Sequence, residues 1–524
     1  MEKISITHKT LFFGHNYFRV EVVMAKILII GGGVSGLSAG IHALKAGHEA
    51  IICERHSVPG GNLTGWQRGR YHIDNCIHWL TGTNQNTETY KLWEELGALG
   101  EASVFQGETL YTCEYEGEKL SLYRDLERLR WEMFLFSPQD EKEIEKFITA
   151  IKGIQGLCGT AGKDHNEKSG LWKLVKSAPT LLPYVYMSTG ELSKRFTHPL
   201  LKRFIACLLG DDFSAVALLM VFATFCGDDG GVPLGGSLKM AQRIADNFEG
   251  LGGRLLLKKT AKKINIVNGK AVSVVFEDGD VIPCDYVVCA ADAKTTYGKL
   301  LSMPMPKALK KQFTDKRFIR FSSYHTAFAC KTDELPFRGD FIFQLPKKEQ
   351  VALGTKYLIV REFSHDKTFA PKGQTVLQTL TFCTEEKSKE FIKLRTDKHA
   401  YENKKMQLAE TIERILVEKF PMFREKLHCL DVWTPATYHR YYGEEIGAYM
   451  GFVFPKRYLP KRLTARVKGL KNVVLATQWQ QTPGGLPTAA NMGRQAIKEI
   501  KRLERRFFFP WKIFNPMVKK PKRV

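Results

Sequence analysis

A short apolar run that ends in closely spaced glycines constrains this chain more than any other feature. Residues 26–30 (Lys-Ile-Leu-Ile-Ile) have the pattern of a buried strand, and Gly31-x-Gly33-x-x-Gly36 follows at once. The first glycine permits a tight turn, the second lets the backbone approach a pyrophosphate, and the third lets a helix pack closely on the strand. The sequence therefore predicts a βαβ unit with a dinucleotide at its first turn.

The residues after the glycines complete this unit. Leu37 to Ala46 have helical character, Ala50 to Cys53 form a second apolar run, and Glu54 stands at its end, 18 residues beyond the last glycine. The phosphates would lie at the helix N-terminus near Val34 and Ser35, and an acid at a strand end accepts hydrogen bonds from ribose hydroxyls. A glycine-rich turn without a ligand is the alternative, and this order of strand, helix and acid argues against it.

Length and composition indicate a globular chain of more than one domain. With 524 residues the chain is too long for one simple core, so two packed domains are expected. Its 44% hydrophobic and 25% charged residues are typical of globular proteins. The eleven cysteines occur singly and no CxxC pair is present, which favours a reduced, cytoplasmic interior.

The net charge of +23 favours an anionic partner, either nucleic acid or an acidic membrane surface. No zinc-finger spacing, RRM signature or repeated basic and aromatic stripe occurs, so no nucleic-acid partner is expected. The longest nearly continuous apolar run, Phe213 to Cys226, has 14 residues. This is shorter than the roughly 18 to 20 residues that span a bilayer.

Residues 1–23 do not have the pattern of a signal peptide. Arg19 and Glu21 interrupt the apolar run, and no small-residue cleavage site follows. Met24 then leads straight into the first strand. We therefore expect Met24 to be the natural start, with residues 1–23 as a disordered extension or a start-site artefact.

The α/β pattern returns around residues 235–290 and again from residue 472, so one doubly wound domain is expected from three separated segments. The two insertions between these segments are expected to form a second domain of sheet plus helices. The predicted organisation is an N-terminal extension (1–23), three cofactor segments (24–95, 230–300 and 431–506), a helical substrate insertion (96–229), a substrate-domain sheet (301–430) and a basic aromatic tail (507–524).

Further residues narrow the type of dinucleotide. Residues 59–62 (Pro-Gly-Gly-Asn), followed by residues 71–74 (Tyr-His-Ile-Asp), extend the unit in the manner of flavoproteins. With these motifs the chain resembles the phytoene desaturase, carotenoid isomerase and retinol saturase group within the amine-oxidase-like flavoproteins. An arginine that approaches the flavin usually follows the Gly-Gly turn in that group. This chain has Asn62 there, while Gly61 retains the backbone role.

Two distant segments match the same group. Residues 233–236 and 252–253, with the strand that begins near Ala261, resemble its central cofactor segment, where backbone at Ala261 would meet the adenine. Residues 485–488 (Gly-Leu-Pro-Thr) resemble its Gly-Ile-Pro-Gly motif, and the helix that follows would face the flavin pyrimidine ring with its positive end. In all, the resemblance extends from Met24 to about Arg502.

The resemblance implies FAD as the cofactor, in a Rossmann-like domain of the glutathione-reductase type with a mixed sheet-plus-helix substrate domain. The cofactor contacts that it implies are Gly31, Gly33, Val34, Ser35, Gly36, Glu54, Arg55, Gly61, Asn62, Ala261, Gln478 and Leu486. No second GxGxxG follows a strand, so no dedicated NAD(P)H domain is expected. The electron partner stays open among quinone, oxygen, a redox protein, the substrate itself and a nicotinamide that docks transiently.

Catalytic residues are harder to identify. The segment around Tyr438, His439 and Arg440 resembles a family stretch that lines the cavity beside the flavin, where one of these side chains would supply a proton or polarise a substrate. A packed aromatic turn with a surface arginine is the alternative.

A metal cluster is a second, weaker interpretation of a nearby segment. His72, Asp74, Cys76 and His78 alternate along one stretch, so strand geometry would put all four on one face. Because the same stretch surrounds the flavin in the family, we expect no metal.

The resemblance implies desaturation, saturation or isomerisation of carbon–carbon bonds in a long apolar substrate such as a carotenoid or another isoprenoid. One alternative is oxidation of an amine or similar small polar substrate, which an aromatic cage in a short closed pocket would favour. The other alternative is a flavin-binding membrane redox partner without its own turnover.

The C-terminal tail supports contact with a membrane. Residues 505–514 (Arg-Arg-Phe-Phe-Phe-Pro-Trp-Lys-Ile-Phe) combine cations with aromatics, and the apolar stretch from Leu171 to Met187 would form a second contact. A tail packed on its own domain is the alternative. We expect a cytoplasmic protein attached peripherally to the anionic inner face of the membrane.

Overall fold

Two sheets of unequal size organise the computed structural model, which describes residues 6–13, 16–100, 104–158, 179–453 and 463–508. Residues 509–524 of the predicted tail and the first part of the predicted contact segment 171–187 lie outside the described residues. Apolar cores lie on both faces of each sheet, so both sheets are inner layers of the fold.

The smaller sheet is wholly parallel, as expected for strands joined by crossover connections. In spatial order its strands are Arg254–Leu256, Glu49–Cys53, Lys26–Ile30, Tyr286–Cys289 and Val473–Leu475. Residues of the central strand alternate between two cores: Ile27 and Ile29 belong to one, and Leu28 and Ile30 to the other. Burial on both faces explains why this strand is continuously apolar.

Long helices cover one face of the parallel sheet, and a small meander covers the other. The helices are Val34–Lys45, Gly236–Gly250 and Leu486–Phe508, and the strands of the meander are Ala261–Val267, Lys270–Phe276 and Val281–Pro283. Two of the helices touch backbone to backbone: a methyl group added at Gly493 would lie 2.3 Å from the Ser35 carbonyl oxygen. Ser38 Oγ also donates to the Ala490 carbonyl at 2.6 Å. This packing fixes both helix N-termini at the edge where the parallel strands end.

The larger sheet has seven strands and is mixed. In spatial order they are His428–Trp433, Ser322–Lys331, Gln374–Cys383, Tyr357–Glu362, Asp340–Gln344, Thr109–Tyr115 and Glu118–Tyr123. One pair, Asp340–Gln344 with Thr109–Tyr115, is parallel, and the others are antiparallel. Helices pack on both faces: Leu126–Phe136, Glu141–Cys158, Pro199–Ala206 and Ala215–Phe225 on one, Lys347–Leu353, Glu385–Leu394 and Lys398–Lys419 on the other. The predicted α/β fold class, a doubly wound domain with a second domain of mixed sheet and helices, is confirmed.

Short elements connect these layers. Two-stranded pairs join Gly65–Arg68 to Tyr71–Asp74 and Val104–Phe105 to Val232–Pro233. The remaining described helices are Glu88–Leu96, Thr189–Ser193, Lys307–Thr314, Pro435–Tyr442, residues 179–185, the π-helix Thr295–Leu300 and the 3-10 turns Pro138–Asp140, Thr332–Glu334, Pro421–Phe423 and Gln478–Gln480. No helix within the described ranges is long and apolar enough to cross a bilayer.

The structure differs from the sequence expectations in two places. Ile6–Phe13 and Asn16–Val23 pair as an antiparallel hairpin, although residues 1–23 were expected to be disordered. The second of these strands is rich in aromatic and β-branched residues, a composition that favours strand pairing. The insertion 96–229, expected to be helical, also supplies the hairpin Thr109–Tyr115 and Glu118–Tyr123, whose turn has Glu116 and Gly117 at positive φ. Partners distant in sequence stabilise that hairpin, so the local pattern did not reveal it.

Candidate cofactor and substrate site

A cavity of about 580 Å³ opens where the parallel strands end and continues to the helix Ala215–Phe225. Ligands of open α/β sheets bind outside the carboxyl ends of the strands, because the connecting loops there leave a crevice. Eleven of the predicted cofactor contacts line this cavity: Gly31, Gly33, Val34, Ser35, Glu54, Arg55, Gly61, Asn62, Ala261, Gln478 and Leu486. The twelfth, Gly36, lies behind the loop.

The three glycines of the loop have separate structural roles. Gly31 has φ of +110°, a conformation that L side chains rarely adopt. A methyl group added at Gly36 would lie 1.8 Å from the Gly31 carbonyl oxygen. One added at Gly33 would come no closer than 3.8 Å to any atom beyond its chain neighbours. The absence of a side chain at Gly36 therefore lets the helix pack closely on the loop at Gly31. The absence of a side chain at Gly33 leaves part of the cavity empty beside the loop.

The first helix begins beside this space with amides that have no hydrogen-bond partner among the residues that the structure describes. Its first turn contains no acidic residue and no side-chain cap. The Leu37 amide donates to the Gly33 carbonyl at 2.9 Å, so the amides of residues 34–36 precede the first bond within the helix. Amides at a positive helix end form a binding site for phosphate.

Glu54 is held rigidly beside the glycine loop. Its Oε2 accepts from the Gly32 amide at 2.7 Å, and its Oε1 accepts from the His56 amide at 2.8 Å. The Lys259 amide donates to the Glu54 carbonyl at 2.8 Å, which brings Ala261 of the central segment to the same wall. Main-chain bonds therefore place the carboxylate where a ribose adjoining the phosphates would lie.

The C-terminal segment closes the opposite wall. The Gln478 side chain accepts from the Gly485 amide at 2.8 Å, one residue before the helix Leu486–Phe508 begins. Gly484 packs against Gly451, because a methyl group there would lie 2.6 Å from the Gly451 nitrogen. The Gln478 side chain thus fixes the loop, and the helix N-terminus is left facing the cavity.

Asn62, which replaces the family's arginine, organises two tyrosines. Its Oδ1 accepts from Tyr442 Oη at 2.6 Å and from Asn75 Nδ2 at 2.9 Å, while its Nδ2 donates to the Tyr449 carbonyl. Tyr442 and Tyr449 both line the cavity. The asparagine therefore acts through the aromatic wall beside the expected flavin position.

Arg55 turns away from the expected phosphate position. Its Nη2 donates to the Tyr441 carbonyl at 2.5 Å and also to the Arg440 carbonyl. The neighbouring His56 stacks on the Tyr441 ring at a centroid distance of 4.6 Å. Together these side chains hold the last turn of the helix Pro435–Tyr442 against the first cofactor segment.

The predicted catalytic candidates do not line the cavity. Tyr438 is buried behind Tyr442, and its hydroxyl lies 3.0 Å from His325 Nε2 and accepts from Trp433 Nε1 at 3.1 Å. His439 Nδ1 is 2.8 Å from the Glu444 carbonyl, and the Arg440 side chain is exposed. Tyr441, Tyr442, Tyr449 and His78 reach the cavity instead, and the sequence gives only their nearness to glycines and family motifs as a signal.

The segment considered for a metal anchors a helix instead. Asp74 accepts from the Ser237 amide at 2.6 Å and from Ser237 Oγ at 2.7 Å, at the positive end of the helix Gly236–Gly250. His72 packs edge-on against Phe369. Among the residues that the structure describes, no three His, Cys, Asp or Glu side chains converge in a way that could hold a metal.

Beyond the aromatic wall the cavity becomes apolar. We call this part the apolar chamber; its walls are Leu208, Leu209, Phe213, Ala217, Met220, Val221, Phe321, Ile359, Leu380 and Phe382. Asp340 also reaches the cavity, but Arg361 binds both oxygens of its carboxylate, through Nε at 2.6 Å and Nη2 at 2.5 Å. The chamber can therefore enclose a long apolar molecule without leaving a bare charge against it.

The residues of the cavity fit FAD. Free amides and a positive helix end suit the pyrophosphate, the fixed Glu54 carboxylate suits a ribose, and the N-terminus of Leu486–Phe508 suits the electron-rich pyrimidine edge of a flavin. Glu444 also lines the cavity. Burial raises the pKa of its carboxyl group, although Arg320 Nη1 donates a hydrogen bond to that group at 3.1 Å. The polar groups cluster at the dinucleotide end and the apolar groups at the other.

Comparison with known proteins agrees with this geometry. The family model described as flavin containing amine oxidoreductase matches residues 34–500. The chain is 24% identical over 444 residues to a prolycopene isomerase of Daucus carota, covering 80% of this chain and 71% of the relative. It is 25% identical over 519 residues to a neurosporene-forming phytoene desaturase of Rhodobacter capsulatus, covering 91% and 94% of the two chains.

A solved structure shares the fold. An oxidoreductase from Methanosarcina mazei superposes with a TM-score of 0.57 at 16% identity, over 91% of this chain and all of the other. The family match covers most of the chain, with the whole of the central cofactor segment and most of the first and third. The chain is a flavin-dependent oxidoreductase with FAD as its cofactor, and it belongs to the flavin containing amine oxidoreductase family.

Proposed function

We propose that this enzyme desaturates, saturates or isomerises carbon–carbon bonds in a long apolar substrate of the carotenoid or isoprenoid type. The observation that carries the proposal is the continuity of the cavity, which leads from the glycine loop past Tyr442 and Tyr449 into the apolar chamber. A polyene in the chamber would reach the flavin without crossing a polar barrier. The named relatives, a prolycopene isomerase and a phytoene desaturase, support a polyene substrate.

In this proposal the residues of the chain bind and orient, and FAD supplies the hydride or electron chemistry. The amides of residues 34–36 bind the pyrophosphate, Glu54 binds the adjoining ribose and backbone at Ala261 meets the adenine. Asn62 fixes Tyr442, and Tyr442 with Tyr449 forms the wall that holds the substrate against the flavin. The apolar chamber excludes water from the reacting carbon atoms.

A small amine fits the site less well. A protonated amine requires an accessible carboxylate or a closed aromatic cage. At the apolar end of the cavity, the Asp340 carboxylate is buried and Arg361 already binds both of its oxygens. Tyr442 and Tyr449 do not form a closed cage either, because the cavity continues past them into the apolar chamber.

Replacing Ala217 with tryptophan tests the chamber. Ala217 lines the cavity on the helix Ala215–Phe225, so an indole there would occupy substrate space far from the glycine loop. We expect binding of lycopene to the FAD-loaded protein to weaken by about tenfold or more, at unchanged flavin content. Flavin spectral perturbation during titration measures the binding. The control is Val351→Trp, because Val351 is 86% exposed. Equal lycopene affinity in both variants, or flavin that no polyene perturbs, would contradict the proposed function.

We also propose peripheral attachment to an anionic membrane. The net charge is +23, and the apolar side chains of Leu182 and Tyr186 expose more than half of their surfaces. Full-length protein is expected to sediment with phosphatidylserine vesicles, to remain free with phosphatidylcholine vesicles and to be released by salt. Removal of residues 507–524 should weaken the binding. Equal sedimentation with both vesicle types would contradict an electrostatic attachment.

A further inference from the structure

Asp292 lies at the dinucleotide end of the cavity, outside the set of residues assigned to FAD. It follows the strand Tyr286–Cys289 by three residues and lines the cavity. A methyl group added at Gly31 would lie 3.2 Å from the Ala290 carbonyl oxygen, so this segment lies directly beside the glycine loop. Asp292 comes two residues later, which places it within about 12 Å of Gly31. The acid is therefore close to the phosphate position.

The two oxygens of the Asp292 carboxyl group differ in their surroundings. Its Oδ1 accepts from the Lys294 amide at 2.9 Å and from the Thr295 amide at 3.0 Å. Its Oδ2 is buried and has no hydrogen-bond partner among the residues that the structure describes. A carboxylate is costly to bury with one oxygen unpaired, whereas a protonated acid carries no charge. These surroundings therefore favour the neutral acid.

The cations in this part of the structure already bind other carboxylates. The pairs are Lys294–Glu445, Lys299–Glu277 and Arg320–Glu444. The Glu444 carboxylate also repels a negative charge on Asp292. Burial raises the pKa of Asp292, and the bonds from Thr295 and the charge of Lys294 offset this rise only in part. Asp292 is therefore an acid without a counter-ion of its own.

Binding of FAD would strengthen the preference for the neutral acid. The pyrophosphate brings negative charge into the cavity, and the cofactor displaces water that would otherwise stabilise a carboxylate. Two like charges about 12 Å apart repel enough to change an affinity by about tenfold, at the effective dielectric constant of a protein site. An ionised Asp292 would therefore weaken FAD binding, and a protonated Asp292 would not.

We propose that Asp292 stays protonated beside the cofactor, and that the enzyme releases FAD as this proton is lost at rising pH. The proposal rests on the placement of the phosphates at the amides of residues 34–36. Its direction follows from linkage: the FAD-bound form holds the proton more tightly, so alkaline solution favours the form without FAD. Asp292 thereby sets the pH range in which the enzyme keeps its cofactor.

Release of FAD from the loaded enzyme at a series of pH values tests the proposal. After dilution, the fluorescence of free FAD gives the dissociation constant at each pH, without any measurement of activity. We expect this constant to rise at least about tenfold from mildly acidic to alkaline solution. Asp292→Asn keeps an oxygen for the two amides and is neutral at every pH, so this variant should bind FAD tightly throughout. Asp292→Ser, a neutral side chain that can still cap the Thr295 amide, should behave in the same way.

The control is Asp333→Asn, which removes the charge of an exposed acid beside the seven-stranded sheet and should leave the pH dependence intact. Circular dichroism at each pH separates release of FAD from unfolding. Equal binding of FAD at every pH in the original enzyme would overturn the proposal. So would an Asp292→Asn variant with the pH dependence of the original enzyme, or with weak binding already in acid. If a folded Gly33→Val variant kept its flavin, the phosphate placement would be wrong, and this proposal with it.

Discussion

Replacing Gly33 with valine is expected to give a folded protein that has lost its flavin. Gly33 has φ of −72° and ψ of 178°, an extended conformation that valine adopts readily. The valine methyl groups would project into the cavity, because the nearest atom beyond the chain neighbours would lie 3.8 Å from the added Cβ. They would occupy the space beside the amides of residues 34–36, where the pyrophosphate is proposed to lie. Absorbance of the purified variant in the flavin bands, relative to protein, measures the loss.

A neighbouring glycine separates loss of binding from loss of fold. Gly36→Ala would bring a methyl group within 1.8 Å of the Gly31 carbonyl oxygen, so this variant should be unstable as well as colourless. Gly33→Val should keep the circular dichroism of the original enzyme, and added FAD should not restore its colour. Full flavin content in a folded Gly33→Val protein would contradict the placement of the phosphates.

Replacing Arg361 with methionine is expected to destabilise the protein by about 3 to 5 kcal/mol. Both residues of the Arg361–Asp340 pair are buried, at 9% and 6% exposure, and two hydrogen bonds join guanidinium to carboxylate. Removing the arginine leaves a buried carboxylate without its counter-charge and the Ile77 carbonyl without its donor. Urea unfolding of the FAD-loaded protein, followed by tryptophan fluorescence, measures the change.

The matched control removes both charges. Asp340→Leu/Arg361→Met replaces the pair by apolar side chains, so much of the lost stability should return, since no bare charge remains. Asp340→Leu alone should be as harmful as the arginine variant. If the double variant were less stable than either single variant, packing of these side chains would outweigh their charge.

The sequence by itself determined the dinucleotide end of the molecule. A strand, three glycines, a helix and an acid at fixed spacing specify backbone geometry, and eleven of the twelve contacts inferred from the motifs line one cavity. The exception, Gly36, still has the packing role that the motif assigns to it. Such motifs can be identified in sequence because their function depends on the main chain and on spacing along one unit.

Only the tertiary structure decided what surrounds the substrate. Helix Ala215–Phe225 and the seven-stranded sheet contribute walls of the same cavity as the glycine loop, although they lie far from that loop along the chain. No local sequence pattern shows that they come together. Tyr438 and Tyr442 lie one turn apart on the same face of the helix Pro435–Tyr442, so the local pattern cannot distinguish them. The packing around them does: Tyr442 lines the cavity, whereas Trp433 donates to the buried Tyr438 hydroxyl behind it. The physical reason is that motif residues act through their own backbone, whereas a chamber wall depends on which side chains distant elements bring to one surface.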